Sequence, residues 1–307
     1  MSDQVTVLEL ETRSWPGSYG DEAKPRMGFF TDTSICIGCK ACEVACKEWN
    51  RIPDSNQGFS GHSYDNTLAL GANTWRHVAF VEQRKPVGVD AAADSLVEAA
   101  ELNRLAEQHG VQTYQEGDGM RWLMASDVCK HCTEAACLEV CPTGALFRTE
   151  YGTVVVQEDV CNGCGYCVTA CPFGVLDQRE DDGRVWKCTL CYDRLKDDLE
   201  PACAKACPTD SIQFGELEEL RERAERRLQK FADAGVEQAR LYGADPDDGV
   251  GGFGAFFLLL DEPEVYGLPP DPVDTTRGLR SIWAATAAAA VALGAAVAGA
   301  VLGGSAD

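Results

Sequence analysis

Basic residues are scarce in this chain. Lysine and arginine together number 27 against 49 aspartates and glutamates, which leaves a net charge of −22 at neutral pH. A protein that grips nucleic acid needs a basic patch, so that class is excluded. Histidine occurs only four times, and no serine–histidine constellation, phosphate-binding loop or paired carboxylate sits near a motif in a recognisable catalytic arrangement. The sequence is therefore read as doing no bond chemistry of its own. No apolar run of membrane-spanning length precedes residue 281, and the opening MSDQVTVLELETRSWPGSYG holds neither a charged-then-apolar leader nor a twin arginine. No export signal is expected on that ground. One further absence matters most: there is no odd cysteine.

All sixteen cysteines fall into four groups of four. They are Cys36, Cys39, Cys42, Cys46; Cys129, Cys132, Cys137, Cys141; Cys161, Cys164, Cys167, Cys171; and Cys188, Cys191, Cys203, Cys207. The first and third read C-x2-C-x2-C-x3-C, the spacing by which bacterial ferredoxins hold [4Fe–4S] cubes. The second and fourth keep the C-x2-C opening and the C-x3-C close with a longer gap between, and three groups run on into Pro142, Pro172 and Pro208. Structural zinc would use C-x2-C pairs, but not triplets followed by x3-Cys-Pro. A secreted disulfide scaffold would be a short chain, and this one has 307 residues. Sixteen thiolates divide into four cubes, enough for an electron wire. The acidic surface raises the cost of adding an electron and pushes their potentials down, alongside burial and N–H···S bonds.

Residues 129 to 174 read as one ferredoxin module: a motif, a hairpin whose second strand covers 153–157 after the Tyr151-Gly152 turn, then the next motif. In two-cluster ferredoxins the fourth cysteine of each motif ligates the other motif's cube. Because only the hairpin separates the second and third motifs, they pair. One cube is expected on Cys129, Cys132, Cys137 and Cys171, and one on Cys141, Cys161, Cys164 and Cys167. The first and fourth motifs then pair around them, as Cys36, Cys39, Cys42, Cys207 and as Cys46, Cys188, Cys191, Cys203. Pairing of the third motif with the fourth is the alternative, although no hairpin-like linker joins Cys171 to Cys188. The expected fold is α+β, two nested ferredoxin-like two-cluster modules plus one C-terminal transmembrane helix. An iron–sulfur domain covers 1–215, with an outer module at 30–50 and 186–215, an inserted module at 127–180 and a connector at 51–126. Gly38, Gly163 and Gly165 let the backbone turn so that N–H groups face sulfur. His131 is read as tuning or shielding a cube rather than ligating it. Lys40, Lys130 and Lys187 either offset cluster charge or are ordinary exposed lysines.

Residues 1–30 are expected to be irregular apart from an extended apolar stretch at 5–10. Apolar spacing with a glycine stop marks a short amphipathic helix at 91–108 in the connector, read as a packing insertion without chemistry. A longer amphipathic helix is expected over 216–234 and a buried strand over 256–260, followed by a Pro-rich extended linker at 263–274. These belong to a segment at 216–278, and a transmembrane anchor follows at 279–304. Residues 282–302 are uncharged and apolar all round. As a helix they would span about 31 Å, close to the hydrocarbon thickness of a bilayer. Ala295, Gly299 and Gly303 form a small-residue stripe on which another membrane helix could pack closely.

The run Cys36-Ile-Gly-Cys-Lys-Ala-Cys-Glu-Val-Ala-Cys46-Lys-Glu-Trp-Asn50 resembles the opening motif of the iron–sulfur (beta) subunit of respiratory, membrane-bound formate dehydrogenases. So do Lys187-Cys-Thr-Leu-Cys-Tyr-Asp-Arg194, Glu200-Pro-Ala-Cys203, Cys207-Pro-Thr209, Gly249-Val-Gly-Gly252 and Tyr266-Gly-Leu-Pro269 ahead of a C-terminal helix. The connector around 91–108 is longer than is usual in that family, and the tail after the anchor is short. The cysteine spacings alone are shared with electron-transfer subunits of other molybdopterin oxidoreductases. The resemblance implies a non-catalytic electron-transfer subunit. Its catalytic alpha partner would carry a molybdenum or tungsten bis-pterin cofactor and oxidise formate. A membrane cytochrome b gamma subunit would receive the electrons and reduce quinone. The rival functions are the same wire serving a hydrogenase or a sulfur-compound or dimethyl sulfoxide reductase, and, more distantly, a structural zinc protein. Arg277 and Arg280, before the anchor, favour a cytoplasmic cluster domain by the positive-inside tendency. The resemblance favours the outer face, reached with a partner that bears a twin-arginine leader, and the outer face is the expectation adopted.

Overall fold

The computed structural model describes residues 24–54, 61, 64, 65, 67–84, 120–236 and 238–303. The stretch at 5–10 and the helix expected at 91–108 lie outside them. In sequence order the strands are β1 (Met27–Asp32), β2 (Arg76–Arg84), β3 (Met120–Val128), β4 (Leu146–Arg148), β5 (Val154–Val156), β6 (Asp177–Gln178), β7 (Val185–Trp186), β8 (Ile212–Glu216), β9 (Arg240–Tyr242) and β10 (Ala255–Leu259). The helices are α1 (Ala41–Asn50), α2 (Ala136–Glu139), α3 (Tyr166–Ala170), α4 (Tyr192–Lys196), α5 (Ala202–Lys205), α6 (Leu217–Asp233) and α7 (Leu279–Gly303).

A four-stranded sheet runs in the order β8-β1-β10-β9. Strand β10 reads Ala-Phe-Phe-Leu-Leu and is buried throughout, as a strand covered on both faces requires. It pairs parallel with β1, setting Phe30 beside Phe256, whose rings stack at 5.3 Å between centroids. Burial of a phenylalanine of this kind contributes about 1.5–3 kcal/mol relative to exposure. Gly28 of β1 permits the approach: a Cβ there would stand 2.2 Å from the Gly254 carbonyl oxygen. The irregular segment expected up to residue 30 thus ends in a central strand, because Met27–Asp32 finds partners more than 180 residues downstream. Helix α6 lays Leu217, Leu220 and Ala224 on this sheet and turns its Glu/Arg-rich face to solvent.

The remaining strands form antiparallel pairs, β2 with β3, β4 with β5 and β6 with β7. The hairpin β4–β5 lies where turn chemistry at Tyr151-Gly152 expects it. In the Pro-rich segment, Pro263–Tyr266 forms a 3-10 helix, and Pro263, Tyr266 and Leu268 are buried. The Tyr242 hydroxyl donates to the Pro269 carbonyl at 2.6 Å, so this stretch is packed onto the sheet. The root of α7 is pinned to the second and third cysteine motifs. The Thr275 hydroxyl donates to the Ala170 carbonyl at 2.9 Å and the Thr276 hydroxyl to Glu139 Oε2 at 2.6 Å. Within α7, Ser281–Ala300 is long and apolar enough to cross a membrane and is not buried against the rest of the protein.

Candidate metal centres

Each motif opens on the same backbone device. The residue before the second cysteine has positive φ in all four: Gly38 (64°), His131 (45°), Gly163 (70°) and Leu190 (55°). A left-handed residue there curls the loop so that successive N–H groups converge on one point, the geometry of an anion-binding nest. Glycine supplies this freely in motifs one and three. His131 and Leu190 adopt it against the usual preference, which no sequence rule anticipates. A second left-handed residue, Lys40, Gly165 or Cys191, starts α1, α3 and α4.

The cysteine sulfurs come together across motifs. Burial pushes the Cys46 thiol well up, and the sulfurs within its electrostatic reach are Cys203, Cys188 and Cys191. The Cys36 thiol is raised by burial and faces Cys207 and Cys39. The Cys132 thiol, also raised by desolvation, faces Cys129, Cys137 and Cys171. Cys167, pushed up to about 11 by burial, faces Cys141, Cys161 and Cys164. A small cavity is lined by Cys36, Cys39, Cys42 and Cys207 together. Cys137 and Cys188 are raised to about 12 by burial. Thiols held protonated in this way must lose their protons to become ligands, so metal binding and proton release are coupled here.

Cys141 goes the other way. Burial would raise its thiol, but N–H groups of Leu146, Thr143 and Ala145 and the Thr143 hydroxyl hold it below the usual thiol range. The same local turn after Cys171 aims N–H groups of Val175, Phe173 and Gly174 at that sulfur. The proline following each of these cysteines has no N–H and a fixed φ, which favours the turn that presents the later donors.

The polar groups around the sulfurs are buried cations and donors. Lys130 (0% exposed) donates to the Val128 carbonyl at 2.9 Å and pairs with Asp127, with its ammonium over the Phe257 ring. Lys187 (1%) donates to the carbonyls of Val154 and Cys188. These two are not surface lysines, whereas Lys40 is partly exposed and pairs with Glu43. His131 is buried and held neutral by desolvation and by nearby Lys187 and Arg148. Its Nδ1 accepts from the Val154 N–H at 3.1 Å, so Nε2 carries the proton and has no hydrogen-bond partner among the described residues. A buried donor without a partner, one residue before Cys132 in the chain, fits a group that brings its own sulfur acceptors. The Asn50 amide reaches the sulfurs of Cys46 and Cys191 at 3.7 and 4.0 Å. Trp49 donates to Asp193 at 2.8 Å, and the Arg194 guanidinium lies 4.1 Å from its ring centroid. The Lys-Glu-Trp-Asn segment therefore ties the first motif's helix to the fourth motif.

Among the described residues no three His, Cys, Asp or Glu side chains stand close enough for a single metal ion.

Four cysteine motifs, each opening on a left-handed residue before its second cysteine, define a ferredoxin-like electron-transfer protein carrying four [4Fe–4S] clusters. The 4Fe-4S dicluster domain is matched twice, over residues 35–145 and 120–217. The formate dehydrogenase iron–sulfur subunit of Haemophilus influenzae is 37% identical over 275 residues, covering 88% of this chain and 77% of the relative. The nitrate-inducible formate dehydrogenase iron–sulfur subunit of Escherichia coli K12 is 38% identical over 285 residues, 91% of this chain and 85% of the relative. The B subunit of the anaerobic dimethyl sulfoxide reductase of the same organism is 33% identical over 196 residues, 64% of this chain and 76% of the relative. This protein belongs to the family of formate dehydrogenase iron–sulfur subunits.

Proposed function

We propose that this subunit relays electrons from a formate-oxidising catalytic subunit with a molybdenum or tungsten pterin cofactor to a membrane cytochrome b and quinone. When bound, each cube takes up and gives back one electron. Cys36, Cys39, Cys42 and Cys207 would hold the first, and Cys46, Cys188, Cys191 and Cys203 the second. Cys129, Cys132, Cys137 and Cys171 would hold the third, and Cys141, Cys161, Cys164 and Cys167 the fourth.

The observation that carries this relay is the set of sulfur neighbours that cross between quartets. Cys42 faces Cys203, Cys188 faces Cys129 and Cys137 faces Cys167. Each quartet is thereby linked to the next in one line. At the two ends, Cys39 and Cys164 are exposed, and the second quartet between them is wholly buried. The root of α7 hydrogen-bonds to Ala170, in the helix that separates Cys167 from Cys171. That favours the fourth quartet as the membrane-side exit and the Cys39 edge as the entrance. The apolar helix then serves as a single-pass anchor, with the cluster domain on the outer face.

The coverage by relatives favours formate over the dimethyl sulfoxide alternative. The formate dehydrogenase subunits align over 88–91% of this chain, the dimethyl sulfoxide reductase subunit over 64%. Formate added anaerobically to the intact complex should bleach the iron–sulfur absorbance within turnover time. Absorbance that dithionite bleaches and formate leaves untouched would rule out the formate partner.

A further inference from the structure

Strands β2 and β3 come from the connector, which carries no cysteine between Cys46 and Cys129. They nevertheless deliver two polar side chains to the seam between the first and second quartets. Arg76, the first residue of β2, is 2% exposed and among the largest fully enclosed side chains of the protein. Its Nη2 donates to Cys203 Sγ at 3.3 Å. Its Nη1 donates to the Ser126 carbonyl at 3.0 Å and lies 3.4 Å from the Ser126 hydroxyl. That hydroxyl is 3.2 Å from Cys42 Sγ. A hydrogen-bonded bridge therefore runs Cys203–Arg76–Ser126–Cys42, from one quartet to the other. The guanidinium plane sits 4.9 Å from the Phe29 ring centroid. Among the described residues no carboxylate is a hydrogen-bond or ion-pair partner of Arg76, and its charge faces the sulfurs of Cys203, Cys42 and Cys188. Its Nε has no hydrogen-bond partner among the described residues.

A buried cation without a carboxylate partner is costly, and arginine stays charged in such a place. The compensation available here is the negative charge of ligated sulfur. Net charge and hydrogen bonds to sulfur are two of the levers that set an iron–sulfur potential, and both act through this one side chain. We propose that Arg76 sets the reduction potential of the cube held by Cys46, Cys188, Cys191 and Cys203, raising it so that an electron arriving at the first cube passes inward. The guanidinium stabilises the reduced cube by its charge and by its N–H···S bond to Cys203. Through Ser126 it acts more weakly on the cube that includes Cys42. This inference rests on the proposed grouping of the cysteines.

The test is a potentiometric titration of the intact complex followed by electron paramagnetic resonance. The signal of the second cube is assigned with Cys203→Ser and Cys46→Ser. Arg76→Gln and Arg76→Met should lower that cube's midpoint by at least a tenfold change in its reduction equilibrium, about 59 mV for one electron. Arg76→Lys should give a smaller drop, between about twofold and tenfold. The cube of Cys141, Cys161, Cys164 and Cys167 should keep its midpoint in all three. Neutral variants that retain four cubes with midpoints unmoved would make Arg76 a packing residue and overturn the proposal. If the neutral variants lose the cube, Arg76→Lys decides: the intermediate drop supports tuning, and an unmoved midpoint overturns it. A wrong cysteine grouping gives a different result, because Cys203→Ser and Cys46→Ser would then alter two different cubes.

Discussion

Single residues separate two ways of sharing out the sulfurs. If each motif served only its own cube, Cys141 would belong with Cys129, Cys132 and Cys137. Its sulfur instead lies within reach of Cys167, which also faces Cys161 and Cys164. Cys141→Ser should therefore alter the same paramagnetic signal as Cys161→Ser and leave the signal lost in Cys129→Ser intact. If Cys141→Ser and Cys129→Ser damaged one and the same cube, the crossover would be wrong. The ligand motifs themselves were legible at this scale, since the spacing of thiols around a cube is a local property that a short stretch of sequence records. Tuning residues were not. Lys130 and Lys187 sit beside ligands and look like surface lysines until the loops close over them. Arg76 and Ser126 carry no local signature, because their meaning depends on β2 and β3 meeting the first and fourth motifs.

Among the elements, α6 declared itself by apolar spacing and α7 by its uncharged run, whereas the short helices within the cysteine motifs gave no such periodicity. Helix α6 lies within a residue of the limits its periodicity and Gly235 imply, and the hairpin β4–β5 follows from its turn. The sheet order β8-β1-β10-β9 was illegible, because Phe29 pairs with Ala255 and neither segment announces its partner. Helix α7 is the element with the plainest physical consequence. Its window Ser281–Ala300 has a mean hydropathy of 1.8, and none of it is buried inside the protein. A helix apolar on every side has no face suited to water. Deleting residues 279–307 should release the isolated subunit from membranes while all four clusters stay in place, because the helix contributes no ligand. A truncated protein that still sediments with membranes at high salt would show that the main attachment lies elsewhere.

Across the whole molecule, the proposed quartets would form a line whose ends carry the exposed Cys39 and Cys164, with the segment that leads into α7 hydrogen-bonded to Ala170 near the second of these. That arrangement fits a wire between two partners. The side of the membrane follows from how the folded domain travels, and a cluster domain on the outer face should be digested by protease added to intact spheroplasts. Protection until the membrane is opened would put it in the cytoplasm, in keeping with Arg277 and Arg280 ahead of the anchor. The claim on which everything else depends is that sixteen thiolates hold four cubes. Iron and acid-labile sulfide measured in the anaerobically purified protein should both come to about sixteen per polypeptide, four for each cube. Zinc in place of iron, or iron and sulfide near half that value, would contradict the four-cluster wire directly.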